Sequence, residues 1–349
     1  MLIAAGAAAA QGFAGLGQDA DGYDTVTPGR EFSFPADHGP HPGHRIEWWY
    51  VTANLEGEDG RDYGVQWTLF RQALASGPER DGWDSHQLWM GHAGLTTPDA
   101  HYSAERFARG GIGQAGVDVE PLNAWIDDWS MRSDTSGVDP LSSLSIAAGD
   151  DDFAYDLGLT TAAEPVLQGE AGYSVKSEAG QASYYYSQPF FDVTGRLTVE
   201  GEEVAVSGRA WLDREWSSQP LASDQEGWDW FSLHLPEGRK MMLFRLRSTD
   251  GTAYYSGTWI EADGRSQPID RTDITLEPNG TTEVAGRRVP VEWRIRVPSR
   301  GIDLETEALN PQSWMATTFS YWEGPIRFSG SHEGAGYLEM TGYGDSNGD

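Results

Sequence analysis

Residues Glu47–Leu55 read EWWYVTANL, and residues Tyr63–Arg71 read YGVQWTLFR. Both runs are rich in aromatic and β-branched side chains, which fit a pleated, half-buried surface. Gly57–Gly60 lies between them and reads as a turn, so the pair is expected to form a β-hairpin. Further strands are expected at Gln87–Thr96, Ala154–Thr160, Ala182–Ser187, Arg196–Glu200 and Val204–Trp211. Their spacing, roughly 8–12 residues with Gly- and Asp-containing turns between, is that of barrels and sandwiches. One short helix is expected at Ser103–Arg109 (SAERFAR), stopped by Gly110 and Gly111.

The second half echoes the first. WWYVTANL (Trp48–Leu55) aligns with WDWFSLHL (Trp228–Leu235), and each is followed by a strand ending in Phe-Arg, Phe70-Arg71 and Phe244-Arg245. YDLGLTTAAEP (Tyr155–Pro165) resembles IDLETEALNP (Ile302–Pro311), and SYYYSQP (Ser183–Pro189) resembles FSYWEGP (Phe319–Pro325). Four matches in one order indicate a duplicated β-domain, not a solenoid of short repeats. The expected fold is all-β, with two antiparallel β-barrel domains packed side by side. The expected divisions are a signal-like segment and linker at 1–28, one domain at 29–213 and a second at 214–349.

Composition agrees and narrows the function. The chain has 349 residues, enough for about two domains at roughly 150 residues each. With 24 basic and 54 acidic residues the net charge is −30, which repels nucleic acid and anionic lipid. Lys176 and Lys240 are the only lysines, a balance like that of salt-adapted surfaces. Fifteen Trp, 14 Tyr and 12 Phe rule out a disordered chain. There is no cysteine, so disulfides, thiolate nucleophiles and Cys-ligated metal are excluded. No run approaches the roughly 18–20 apolar residues of a membrane helix. Met1–Ala10 (MLIAAGAAAA) resembles the end of a secretory signal, with an A-x-A-like site near Ala8–Ala10 but no positive n-region. A periplasmic or secreted location is expected on that basis.

The stretches EWWYVTANL, SYYYSQPF, WLDREWSSQ, GWDWFSLHL, MMLFRLR and YWEGPIRFSGSHEGAGYLEMTGY together resemble the AttH/CrtC-like family. The match runs from about Phe34 to Tyr343. The resemblance implies two lipocalin-like domains. It does not imply one activity: some members are carotenoid 1,2-hydratases, fungal relatives look like pericyclases acting on polyenes, and most bacterial members are predicted secreted hydrolases. Those bacterial members are often associated with ABC-type exporters. Fold alone does not choose among these.

WLDREWSSQ (Trp211–Gln219) is the densest polar-aromatic segment. On a strand, Asp213 and Glu215 point one way and Arg214 the other. Two carboxylates together, between Trp211 and Trp216, would raise one pKa by desolvation and like charge. A protonated Asp213 could then deliver a proton to a double bond, with Glu215 orienting water and tryptophan faces stabilising the cation. The competing expectation is a salt bridge from Asp213 or Glu215 to Arg245 or Arg71. Trp228 and Trp230 share a face with His234, which is either a proton shuttle or a core histidine. Trp211, Trp216, Trp228, Trp230, Trp49 and Tyr186 are the candidate ligand-binding wall. Tyr184 and Tyr186 share a face and read better as a cross-strand ladder. Glu47 is expected to hold a structural ion pair with Arg71 or Arg245.

His38, His41 and His44 lie in a Gly/Pro loop with Asp37 nearby; their spacing is a weak metal signal, and no metal or other cofactor is expected. His92 is read as a core residue. No G-x-S-x-G elbow is present, so a hydrolase would lack a visible nucleophile.

The partner expected is a hydrophobic small molecule, a polyene, terpenoid or lipid, bound by a monomer. Three readings follow: a carotenoid-hydratase-like lyase acting by acid-catalysed water addition, a non-catalytic exported carrier serving an ABC-type exporter, or an interaction module whose domain interface is simply filled. A buried carboxylate facing a ligand-sized cavity marks the first. A roomy apolar pocket with every carboxylate paired to arginine marks the second, and the lack of a cavity of the ~300 Å³ typical of small-molecule sites marks the third.

Overall fold

The computed structural model describes residues 20–135, 139–219 and 224–344. Among them the regular structure is strand, with a few short 3-10 turns, and the signal-like run Met1–Ala10 lies outside them. The hairpin forms as expected, from the strands Ile46–Gly57 and Asp62–Ala73, in register Trp49 with Leu69 and Val51 with Trp67. Thirteen strands build the first antiparallel sheet and ten the second, and each sheet curls into a barrel.

The expected duplication is visible in the sheet order. Ile46–Gly57 lies between Asp62–Ala73 and Glu202–Ser217. Its counterpart Gln225–His234 lies between Lys240–Ser248 and Gly334–Met340. The other matched segments also occupy corresponding places: Phe153–Thr160 with Ile302–Ala308, and Ala182–Val199 with Tyr321–Gly330.

Three expectations are corrected. Ser103–Arg109 is not helical; it belongs to the strand His101–Arg109, laddered against Gln87–Thr96. Ala104 and Ala108, four residues apart, fit a helix face and a strand face alike. A partner strand decided between them. The sheets part within the expected window Gly208–Glu226 but not at 213/214, because the strand Glu202–Ser217 runs unbroken through that point and the second sheet begins at Gln225. Nor are residues 20–28 a mere linker: Val26 joins the first core, and the Thr27 N–H donates to the Tyr184 hydroxyl at 3.0 Å.

Both barrel interiors are filled by side chains. Trp49, Val51, Trp67, Leu212 and Trp216 are among those packing the first, and Phe231, Leu243 and Trp293 the second. A third apolar cluster lies between the barrels, formed by Tyr50, Tyr185, Trp211, Trp230, Met242, Phe244 and Tyr337. The strands at the junction are thus covered on both faces, which explains why EWWYVTANL reads as a near-continuous apolar run. Gly64 permits the close approach: a Cβ there would collide with the Pro325 ring. Asn54 Nδ2 also donates to the Gly336 carbonyl across the junction at 2.8 Å.

Each barrel interior holds one buried carboxylate between two arginines. Glu47 is ion-paired to Arg71 Nε and, at 2.6 Å, to Arg214 Nη2. Asp229 lies 3.2 Å from Arg245 Nε and 3.4 Å from Arg247 Nε. The expected Glu47–Arg71 pair is therefore present. Arg245 serves Asp229 in the other barrel: Glu47 stands opposite Arg71, and Asp229 stands opposite Arg245. Burial opposes ionisation of Glu47, yet the two guanidiniums hold its carboxyl well below its ordinary 4.5. Truncation would leave two buried guanidiniums unpaired. Glu47→Ala is expected to cost about 3–5 kcal/mol in urea unfolding, and Asp229→Ala a similar amount. A loss below about 1 kcal/mol, the scale of exposed pairs, would show that these charges are solvated in the native protein.

Candidate functional site

Between the barrels lies an open cleft. Its volume is about 140 Å³, smaller than the ~300 Å³ typical of small-molecule sites. Ile46, Trp48, Tyr50 and Phe70 come from one domain and Trp228, Trp230 and Phe244 from the other. Set among these apolar walls are Asp213, Glu215, Glu339, Lys176 and His92.

Strand alternation places them. Along Glu202–Ser217, Asp213 and Glu215 face the cleft, while Arg214 points into the first barrel toward Glu47. The carboxylates share a face as expected, but Trp216 does not stand beside them. It packs inside the barrel with Arg214 and lies 3.9 Å from the His41 ring, stacked at 5°. Trp49 and Tyr186 are interior too: Arg214 sits 3.6 Å over the Trp49 ring, and the Tyr186 hydroxyl lies 2.7 Å from His38 Nδ1. Of the candidate ligand wall, only Trp228 and Trp230 line the cleft. Trp211 is buried in the interdomain cluster, where it supports Asp213.

Three donors converge on Asp213. The Ser187 hydroxyl donates to Oδ1 at 2.5 Å, Trp211 Nε1 to the same oxygen at 2.6 Å, and the Tyr185 hydroxyl to Oδ2 at 2.6 Å. Burial nevertheless pushes the Asp213 carboxyl up to about 7 against those donors, and the Glu215 charge adds to the rise. Neither expected arginine reaches this pair. Glu215 is bonded instead to Lys176 at 2.8 Å, whose ammonium lies over the Tyr185 and Phe244 rings at 4.6 and 5.0 Å.

The facing wall holds an acid that sequence reading missed. Glu339 accepts from Trp228 Nε1 at 2.6 Å, and burial again pushes its carboxyl up to about 7, with help from Asp213 and Glu215. Next to it in register is Glu323, 1% exposed and pushed well above its ordinary 4.5 by burial and by Glu339. Duplication explains the arrangement. Asp213 lies opposite Tyr50 and Ser187 in its sheet, and Glu339 lies opposite Trp230 and Glu323 in the other. The alignment of SYYYSQP with FSYWEGP already matches Ser187 to Glu323. A single acid in each apolar run, YWEGP and GYLEM, was the available signal.

His234 does not line the cleft. Burial, with Lys240 and Arg209 nearby, pushes its imidazole well below 6.5, so it is a neutral ring packed edge-on to Trp211 at 6.2 Å. The loop histidines are engaged within the first barrel's end: His38 with Tyr186, and His41 with Asp37 and Glu47 at 3.1 and 3.2 Å. No group of three metal-ligating side chains occurs among the described residues.

Two lipocalin-like barrels with an acid-bearing cleft between them define the class. The AttH-like family model matches residues 25–343, and the chain belongs to that family. A Nitrosomonas europaea structure assigned to AttH is 33% identical, with TM-score 0.81, covering 92% of this chain and 99% of that one. Kievitone hydratase from Nectria haematococca superposes at TM-score 0.69 and 18% identity, covering 93% and 97%. CghA with Sch210972 follows at 0.55 and 16%, covering 93% and 97%. The last two resemble this chain in fold. No curated protein matches it.

The cleft acids make a pH prediction with a defined sign. Between about pH 4.5 and about pH 7 the folded chain keeps protons on Asp213 and Glu339 that the unfolded chain has released. Their contribution to stability therefore falls as pH rises through that window. His38 and His44, held neutral by burial, act in the opposite sense, so the readout is a difference between proteins. Asp213→Asn/Glu339→Gln should gain melting temperature relative to wild type as pH rises from 5 to 7, as read by calorimetry. A constant difference across the window would mean that both groups titrate as ordinary carboxyls.

Proposed function

We propose that this protein is a hydratase-type enzyme that binds an unsaturated hydrophobic small molecule in the interdomain cleft and adds water to it. One observation carries the reading. Asp213 and Glu339 lie in an aromatic-walled cleft, pushed up to about 7 and without an ion-pair partner among the described residues. A carrier would keep its acids neutralised by arginine, as both barrel interiors do. The fold shared with kievitone hydratase supports the same reading.

The chemistry needs no covalent intermediate. The Asp213 carboxylic acid gives its proton to one alkene carbon, and the other becomes a carbocation. The faces of Trp48, Trp228, Trp230 and Phe244 stabilise that charge by cation–π attraction. Water held by the Glu215–Lys176 pair attacks the cation, and its spare proton passes to Glu339 or back to Asp213. The apolar, aromatic walls suit a polyene or terpenoid, and a carotenoid-like substrate is the narrower form of the proposal. A periplasmic or secreted setting with an ABC-type exporter nearby belongs to the same proposal and rests on the family resemblance and the signal-like start.

Incubation with a mixed pool of acyclic polyenes in heavy-oxygen water, read by mass spectrometry, tests it. Wild type is expected to yield product carrying the heavy oxygen, and Asp213→Asn to lose about 100-fold or more of that rate. Polyene recovered bound but intact from both proteins would make this a carrier.

A further inference from the structure

The charges that line the cleft do not balance. Asp213, Glu215 and Glu339 stand against one ammonium, that of Lys176, which is committed to Glu215 at 2.8 Å. That pair cancels and leaves two acids over. Asp213 accepts from Ser187, Trp211 and Tyr185, and Glu339 accepts from Trp228. All four partners donate and none carries a charge, so the site favours negative oxygens without supplying a positive group.

Aromatic rings surround this negative space. Tyr50 lies opposite Asp213 in register, and Trp230 lies opposite Glu339. The two rings meet edge to face across the junction, 5.4 Å apart at 86°. Trp230 Nε1 also donates, at 3.3 Å, to the Tyr185 hydroxyl that itself donates to Asp213. One ammonium already uses rings of this junction: Lys176 Nζ lies over Tyr185 and Phe244. Ring faces attract ammonium ions most strongly where water is excluded, and quaternary ammonium ligands are recognised in this way. The volume of about 140 Å³ suits a compact head group, since a cavity of about 150 Å³ holds one benzene. The net charge of −30 raises the local concentration of cations.

We propose that the cleft is a binding site for a lipophilic ammonium ion, its cationic head held between Asp213 and Glu339 against Tyr50, Trp228 and Trp230 and its chain leaving by the open mouth. The inference deepens the hydratase reading and rests on it for its purpose: the carbocation of that reaction presents the same charge at the same place, and a stable ammonium ion mimics it. Binding is linked to the protons on the two acids. Burial pushes Asp213 and Glu339 up to about 7, so both gain negative charge between pH 6 and pH 8. Burial pushes Tyr50, Tyr185 and Tyr321 well above 10 and keeps the His92 imidazole below 6.5, so these stay neutral over that range. Glu323, behind Glu339, is pushed well above 4.5 by burial and acts in the same sense as Glu339. Glu105, behind His92, is held below 4.5 against burial by its bonds to His92 and Thr318. Cation affinity therefore rises with pH, and cation binding expels protons.

The test compares three eight-carbon probes on the full chain at one ionic strength: octyltrimethylammonium, whose charge is fixed, octanol and octanoate. Calorimetry and tryptophan fluorescence read the binding. At pH 8 the ammonium is expected to bind at least about 10-fold tighter than the alcohol, and octanoate more weakly than either. That preference should shrink several-fold at pH 6, and binding at pH 7 should release protons, seen as a heat that depends on the buffer. Asp213→Asn and Glu339→Gln should each weaken the ammonium several-fold and leave octanol unchanged, which a misfolded cleft would not do. Lys176→Met removes the cleft's own cation and should tighten the ammonium. Equal affinity for ammonium and alcohol would overturn the proposal. So would a preference that both acid variants keep, which marks attraction to the acidic surface only. Ammonium selectivity with no oxygen added to any polyene by wild type would keep the cation site and discard the hydratase. Heavy oxygen in the product without that selectivity would discard the cation site alone.

Discussion

Side chains alternate along a β-strand, and this molecule depends on two strands that are buried on both faces where the barrels meet, over residues 46–55 and 210–217. Ile46–Gly57 and Glu202–Ser217 lie side by side at the junction of the barrels. One face of each packs the first barrel, and the other faces the second domain. Neighbouring residues on such a strand therefore enter different environments. Arg214 goes to Glu47 inside the barrel, and Asp213 and Glu215, one step either side, go to the cleft. A slip of one residue would exchange them and leave a guanidinium in the cleft and two acids in the barrel. Register here is a condition for the site as well as for the fold.

The two environments treat acids differently. Inside each barrel a carboxylate sits between two arginines; these hold Glu47 well below its ordinary value, while at Asp229 burial still outweighs them and raises the carboxyl. Such pairs contribute little net stability but are costly to break, which suits anchors of register. In the cleft the acids meet tyrosine, serine and tryptophan donors instead of guanidiniums. Neutral donors do not offset the desolvation of two carboxyls in one space, so Asp213 and Glu339 are left near the pH where they exchange protons. The duplication that built the fold put one such acid on each wall.

Most of the architecture was legible in local pattern. The hairpin, the repeated WWYVTANL and WDWFSLHL strands and the pairing of Glu47 with Arg71 follow from alternation and self-similarity, which act within and between neighbouring strands. The failures share a cause. Ser103–Arg109 carried a spacing common to helix and strand, and its partner strand resolved it. Trp216 and Trp49 were read as ligand wall because an aromatic side chain suits a pocket and a core equally. Arg245 was offered to Glu47, but an identical pair in the other barrel claims it. Glu323 and Glu339 went unremarked because each is a lone acid in an apolar run, and only their meeting across two strands makes them a pair.

By itself the sequence determined the all-β class, the duplication, the side of the strand on which Asp213 and Glu215 lie and the absence of thiol chemistry. Those properties depend on residue type and on a period of two along one chain. The tertiary structure decided which barrel face meets the cleft, which acid meets arginine and which meets only neutral donors. Burial and partner choice are set by contacts between segments as much as 282 residues apart, such as Asn54 and Gly336. No local pattern carries that information, because the desolvation that raises a carboxyl pKa exists only once the two barrels close on each other.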